Sequence, residues 1–161
     1  MKPPKNQVIF RTYPTEKSRL VFQMGSGSPE TAVEAARLVA NDVSAIDLNC
    51  GCPKHFSTSG GMGSALLSDV DRLVSILNAL VTEIGKPFGI GISCKIRVLP
   101  SVEETETMVR RICQTGIIGT GLQRVLGHKL ICRSDDSSTD CSDAATRNRL
   151  ERQAGKAGGS L

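Results

Sequence analysis

The chain of 161 residues is long enough for one domain with a hydrophobic core, but too short for two large domains. Hydrophobic residues make up 39% of it and charged residues 22%, a composition that suits a soluble folded protein better than a disordered one. The formal net charge of +4 is compatible with a polyanionic partner but too small to demonstrate one. The sequence shows neither a secretory signal nor an apolar run of roughly 20 residues, so we expect a cytoplasmic protein with no membrane partner.

The first half of the chain repeats a pattern of strand followed by helix. Residues 19–25, RLVFQMG, predict a short buried strand that ends at a glycine. Ser28 is a suitable cap, and Pro29 a suitable first residue, for the helix that follows. Residues 44–49, SAIDLN, predict the second strand, and apolar residues recur at helical spacing over residues 66–81.

A third unit follows. Residues 91–100, GISCKIRVLP, predict a strand. Ser101 and Glu104 then form a Ser-x-x-Glu capping box at the start of a helix that Gly116 is placed to end. Three βα units in succession imply parallel strands with helices packed outside, so the fold class is α/β. Periodicity alone leaves open whether the sheet is doubly wound or an arc of a (β/α)8 barrel.

The repeating pattern ends near Gly116. Residues 118–161 contain one weak apolar run and then a polar stretch rich in Ser, Asp and Gly. We expect this tail to be irregular and to be disordered beyond about Cys132. The sequence therefore predicts an N-terminal extension over 1–18, the βα units over 19–117 and a divergent tail over 118–161.

Polar residues stand near the ends of all three predicted strands. They are Gln23, the segment from Asn49 to Lys54, and the pair Lys95 and Arg97. Functional groups gather at the carboxyl ends of strands in parallel α/β folds, so these groups could form one site. The alternatives are that Gln23 only satisfies backbone groups at a strand end, and that Lys95 and Arg97 face solvent.

Cys50 and Cys52, separated by one glycine, allow a metal site, a redox pair or a catalytic acid. A zinc site is the weakest interpretation, because no second pair of ligands has suitable spacing, and we expect no metal. A disulfide between them would be strained and is disfavoured in a reducing compartment. One thiol acting in a site, with the other packed as a small residue, is the preferred interpretation.

The segment NCGCPK, residues 49–54, resembles the N-x-G-C-P-K signature of tRNA-dihydrouridine synthases. It is followed by GGMGSALLSD, and VFQMG, CKIR and LPS occur in the corresponding order. The resemblance extends from about Val8 to Gly116 and is strongest to the eukaryotic type-2 branch, which modifies a uridine in the D-loop of cytoplasmic tRNA. It implies a (β/α)8 barrel that binds flavin mononucleotide (FMN), uses NADPH as reductant and acts on tRNA.

The resemblance also implies roles for individual residues. Cys52 matches the catalytic position, where a thiol protonates C5 of the uracil as general acid, whereas Cys50 matches a variable position. Gln23 and Lys95 match flavin contacts, and a lysine near the N1/O2 edge of the ring would stabilise the reduced, anionic form. Asn49 is expected to orient flavin or uracil. The resemblance also implies that Arg97 assists flavin or RNA binding.

Several parts of the family pattern have no counterpart in the sequence. The first two barrel strands would precede Val8, and the sixth strand with its His-Gly-Arg end is replaced, so His128 does not inherit that histidine's role. The expected fold is therefore a partial barrel of about three βα units, with an apolar inner face left uncovered. The alternative function is an inactive truncated isoform or gene-model fragment that acts as a binding partner. A flavin enzyme acting on a free pyrimidine is a weaker alternative, because it does not account for the signature.

Overall fold

In the computed structural model, residues 11–123 and 129–133 are described. The elements in chain order are β1 (Val21–Met24), α1 (Pro29–Val39), β2 (Ala45–Asn49), α2 (His55–Thr58), α3 (Val70–Leu80), α4 (Lys86–Phe88), β3 (Gly91–Arg97), α5 (Val102–Cys113), β4 (Gly119–Gln123) and β5 (Lys129–Arg133). Two 3-10 segments (Pro14–Arg19 and Gly63–Ser68) and a π turn (Val81–Gly85) complete the list.

The five strands form one sheet in the order β1-β2-β3-β4-β5, and the first four are parallel. Each parallel strand lies beside the one before it in the chain, so right-handed crossovers place all connecting helices on the same face. Helices α1, α3 and α5 accordingly pack in sequence, α1 against α3 and α3 against α5. A doubly wound sheet would reverse its strand order and have helices on both faces. The expected α/β fold, an arc of a barrel, is confirmed.

The two faces of the sheet differ in chemistry. The outer face, covered by helices, carries Ile46, Leu48 and Ile96, all fully buried. The inner face carries the alternate residues of each strand. Its first layer is Val21, Ala45 and Gly91, and the residues beyond that layer are polar and partly exposed: Gln23, Asp47, Asn49, Ser93, Lys95 and Arg97. The expectation of an apolar inner face was wrong for these layers, which form the carboxyl-terminal part of the sheet. Side chains alternate between faces along a strand, and the apolar residues that predicted these strands belong to the helix-covered side, except Val21 and Ala45.

Local signals at the helix ends agree with the sequence. The Ser28 hydroxyl accepts a hydrogen bond from the backbone N–H of Thr31 at 3.3 Å, which confirms the predicted cap of α1. The hydroxyl of Ser101 likewise accepts from the N–H of Glu104 at 3.2 Å and caps α5, which is one half of the predicted capping box. Beyond α5, Gly116 has φ +81°, a conformation that only glycine adopts readily.

Regular structure continues past the expected boundary at residue 117. Strand β4 lies parallel to β3, with Lys95 paired to Gly121, in the place where the sequence predicted an irregular tail. This strand has two glycines in five residues, so its low strand propensity concealed it. Strand β5 then pairs antiparallel with β4. We also expected disorder beyond about Cys132, and most of those residues lie outside the described part of the chain. Residues 1–10 and His128 lie outside it as well.

Within residues 11–123 and 129–133, no helix has both the length and the apolar character needed to cross a membrane.

Candidate active site

The carboxyl ends of β2 and β3 bring two of the predicted site residues side by side. Asn49 and Lys95 are direct partners in the parallel register, on the inner face. Arg97 lies two residues beyond Lys95 on the same face of β3, and Gln23 lies one strand away on β1. The structure thus places all four expected polar residues on one open face, as the βα pattern predicts.

A hydrogen-bonded row of polar side chains lies one step below Asn49 and Lys95. Asp47, at the centre of the row, is paired in register with Gln23 on one side and Ser93 on the other. Gln23 donates from Nε2 to Asp47 Oδ2 at 2.7 Å. Ser93 donates from Oγ to Asp47 Oδ1, also at 2.7 Å. One carboxylate therefore links the side chains of three adjacent strands.

The sequence analysis did not identify Asp47 and Ser93 as site residues. The available signal was a polar residue two positions before Asn49, and another two before Lys95, inside otherwise apolar strands. Two positions along a strand is the spacing of residues that share a face, so these residues belong to the same face as the predicted site.

The loop after β2 is fixed to the neighbouring strand and to its own turn. The backbone N–H of Cys50 donates to the carbonyl of Lys95 at 2.8 Å, which continues the β2–β3 pairing by one residue. Asn49 accepts on its side-chain Oδ1 from the N–H of Gly51 at 3.0 Å. This bond directs the Asn49 carbonyl oxygen into the turn and leaves its amide nitrogen as the group that could contact a ligand.

Cys52 is held from the other side by the 3-10 segment Gly63–Ser68. The N–H of Ser64 donates to the carbonyl of Cys52 at 2.8 Å. Gly63 has φ +60°, and a Cβ atom there would stand 2.5 Å from both the Cys52 carbonyl oxygen and the Ser57 hydroxyl oxygen. The backbone can approach Cys52 this closely only because residue 63 has no side chain. The glycine-rich GGMG segment therefore supports the Cys52 loop.

The two cysteines occupy different environments. Cys50 is fully buried on the helix-covered side, and the pKa of its thiol is raised well above the usual value, first by a hydrogen bond with Cys94 and then by burial. A thiol in this position remains protonated and inaccessible. Cys52 is only partly buried. Of the two cysteines, Cys52 is the one that retains exposed surface.

No group of three or more His, Cys, Asp or Glu side chains suited to a metal ion occurs among the residues that the structure describes.

A comparison with protein families matches residues 4–120 to Dihydrouridine synthase (Dus). This match covers most of the chain, including every residue of the candidate site. The chain belongs to the dihydrouridine synthase family. Its N-x-G-C-P-K segment, which leads out of β2, lies within the matched residues.

Individual relatives agree with the family assignment. The chain is 66% identical over 117 residues to the tRNA-dihydrouridine(20) synthase of Schizosaccharomyces pombe, named as NAD(P)+-linked, covering 73% of this chain and 24% of that protein. It is 54% identical over 111 residues to the enzyme of the same name from Saccharomyces cerevisiae, covering 68% of this chain and 29% of the yeast protein. A tRNA-dihydrouridine synthase-like protein of Caenorhabditis elegans is 36% identical over 100 residues, covering 62% of this chain and 35% of its own length. The chain thus spans about a quarter to a third of the relatives it matches.

Proposed function

We propose that this chain carries the flavin-ring contacts and the proton donor of a tRNA-dihydrouridine synthase that reduces the C5–C6 double bond of a uridine in the tRNA D-loop. The observation that supports this best is the pairing of Asn49 with Lys95, to which the Cys52-bearing loop is tied by the Cys50 N–H to Lys95 carbonyl bond. Residues far apart in sequence are thereby held in one small area. A cytoplasmic location is part of the same proposal.

The inner face fits a flavin ring. Side-chain amides on Gln23 and Asn49 suit the carbonyl and N–H groups along the pyrimidine edge of the ring, and the Lys95 ammonium suits the edge that becomes anionic on reduction. All three residues are at least partly exposed on this face. When bound, FMN would supply the reducing equivalents for the uracil double bond and would be reduced again by NADPH.

The chain's own contribution to the chemistry is binding and proton donation. We assign to Cys52 the transfer of its thiol proton to C5 of the uracil, which must accompany the reduction at C6. Asn49 would orient the bound rings through its free amide N–H groups. We assign to Lys95 the stabilisation of negative charge on the ring, and to Arg97, farther out on β3, contact with the flavin or with RNA phosphate.

A second proposal is that this chain by itself is an inactive fragment that acts through binding. The observation in its favour is strand β5, which pairs antiparallel along the edge of β4. A (β/α)8 barrel needs a parallel strand at that edge, and the strands that bind the flavin phosphate usually follow it.

The proposed function can be tested in a chimera in which residues 4–120 replace the matching segment of the S. pombe enzyme. We expect the chimera to bind FMN and to restore dihydrouridine to tRNA in a strain that lacks the endogenous enzyme. The 161-residue chain, expressed in the same strain, separates the two proposals. Restoration by the chimera alone would support the inactive-fragment proposal for the isolated chain, and failure of the chimera would contradict the assigned chemistry.

The role of Lys95 gives a separate prediction. In the chimera, Lys95→Met keeps the aliphatic stem but removes the charge, so reduction of bound FMN by NADPH should slow by about 10²-fold, the usual effect of losing one group that stabilises developing charge. Lys95→Arg, the matched control, should retain most of the rate. Stopped-flow loss of the visible flavin absorbance measures this step. Equal rates for Lys95→Met and the unsubstituted chimera would rule out the assigned role.

A further inference from the structure

The Asp47 cluster determines which way the Gln23 amide faces. An ionised carboxylate only accepts hydrogen bonds, so a group that bonds to Asp47 must present a donor. Both carboxylate oxygens of Asp47 are engaged, Oδ2 by Gln23 and Oδ1 by Ser93, each at 2.7 Å. The Gln23 nitrogen must therefore point toward Asp47, and the carbonyl oxygen Oε1, which is the other branch of the same planar amide, is directed away from that carboxylate.

Gln23 is exposed on the inner face, beside the layer that holds Asn49 and Lys95. Its Oε1 is therefore available as an acceptor, and a ligand atom bound by it must be a donor. An oxidised flavin ring has one N–H group, the imide N3–H between two carbonyls. The uracil base of a nucleotide also has one N–H group, which is again an imide. The imide N–H that Gln23 Oε1 would accept can therefore belong either to the flavin or to the uracil.

Resting on the proposed function, we propose that Asp47 is a positioning residue that locks Gln23 as the hydrogen-bond acceptor for an imide N–H. A glutamine without such a partner samples both orientations of its amide, one of which presents an NH₂ group to the imide N–H. Fixing the orientation removes that competing state and raises the apparent affinity for an imide. Asp47 itself touches no ligand in this scheme.

The test compares FMN with 3-methyl-FMN, which lacks the imide N–H, as ligands of the FMN-free chimera. Flavin fluorescence quenching gives both dissociation constants, and their ratio is the readout. We expect Asp47→Ala to lower the preference for FMN about twofold to tenfold, the range for one neutral hydrogen bond. Asp47→Asn preserves the volume and permits both amide orientations, so it should lower the preference about twofold.

Ser93→Ala is the matched control, because it removes a hydrogen bond to the same carboxylate but leaves the Gln23 bond in place. Its preference for FMN over 3-methyl-FMN should equal that of the unsubstituted chimera. If Asp47 acted only by stabilising the fold, Ser93→Ala and Asp47→Ala should instead change this preference alike. A second arm measures binding of tRNA that carries uridine or 3-methyluridine at the target position. If the Asp47 variants lose preference for uridine over 3-methyluridine but keep their preference for FMN over 3-methyl-FMN, the imide that Gln23 binds is that of uracil.

Unchanged preferences in both arms for Asp47→Ala and Asp47→Asn would overturn the positioning role while leaving the proposed function intact. Failure of the unsubstituted chimera to bind FMN is a different result, because it would refute the proposed function itself.

Discussion

Replacing Cys52 with alanine in the chimera is expected to lower the rate of dihydrouridine formation about 10²-fold to 10⁴-fold, the usual contribution of a positioned general acid. FMN binding should be unchanged, because the flavin contacts assigned here lie on β1, β2 and β3 and not on the Cys52 side chain. The measurement is single-turnover reduction of tRNA by the FMN-loaded chimera after treatment with NADPH. Oxidation of the flavin by tRNA should slow together with product formation.

Cys50→Ala is the matched control, since it removes a thiol two residues away. Cys50 is fully buried and its thiol is held protonated, so we expect no loss of activity. The substitution should cost about 1 kcal/mol of stability, similar to the loss of one buried methyl group. Alkylation offers an independent check, because iodoacetamide should modify Cys52 in the folded chimera and leave Cys50 intact. A Cys52→Ala variant as active as Cys50→Ala would refute the acid assignment.

Gly63→Ala should greatly slow dihydrouridine formation by the chimera without changing any residue assigned to the chemistry. The new Cβ would stand 2.5 Å from the Cys52 carbonyl oxygen, in a residue held at φ +60°. The Cys52 loop must move to relieve the contact, and a displacement of about 1 Å is enough to lower a rate about 10²-fold. The activity assay on tRNA, together with the thermal midpoint, measures the effect.

Gly89→Ala separates the close contact from backbone strain. Gly89 has nearly the same backbone conformation, with φ +64°, but a Cβ there would meet no atom within 4 Å. It should cost about 1 kcal/mol to 2 kcal/mol of stability through the left-handed conformation and leave activity unchanged. If Gly63→Ala and Gly89→Ala behave alike, strain and not displacement of the Cys52 loop explains the result.

The sequence was sufficient for features that depend on local chemistry. The cap at Ser28 and the end of α5 near Gly116 follow from side-chain acceptors and backbone freedom within a few residues. The order of the βα units is also predictable from the sequence, because apolar runs with strand and helix periodicity alternate along the chain. Strand β4 escaped detection, since its pairing with β3 and not its own propensity stabilises it.

The site was predictable only in part, for a physical reason. Gln23, Asn49 and Lys95 stand at strand ends, where the parallel fold itself indicates function. Asp47 has partners 24 residues before it and 46 residues after it in the chain, so no local pattern reveals its network. The role proposed for Cys52 rests on family resemblance, because the spacing of the two thiols does not distinguish an acid from a packed residue.

Every proposed contact to the flavin ring, and the proton donor as well, comes from the continuous span between Gln23 and Arg97. The strands in this span pair only with strands adjacent in the chain, so each step of assembly closes a short loop. Once this span has left the ribosome, all of the residues proposed for the site have been synthesised, before β4 and β5 are made. Protein synthesis and construction of the site can proceed in the same direction, from the amino terminus onward.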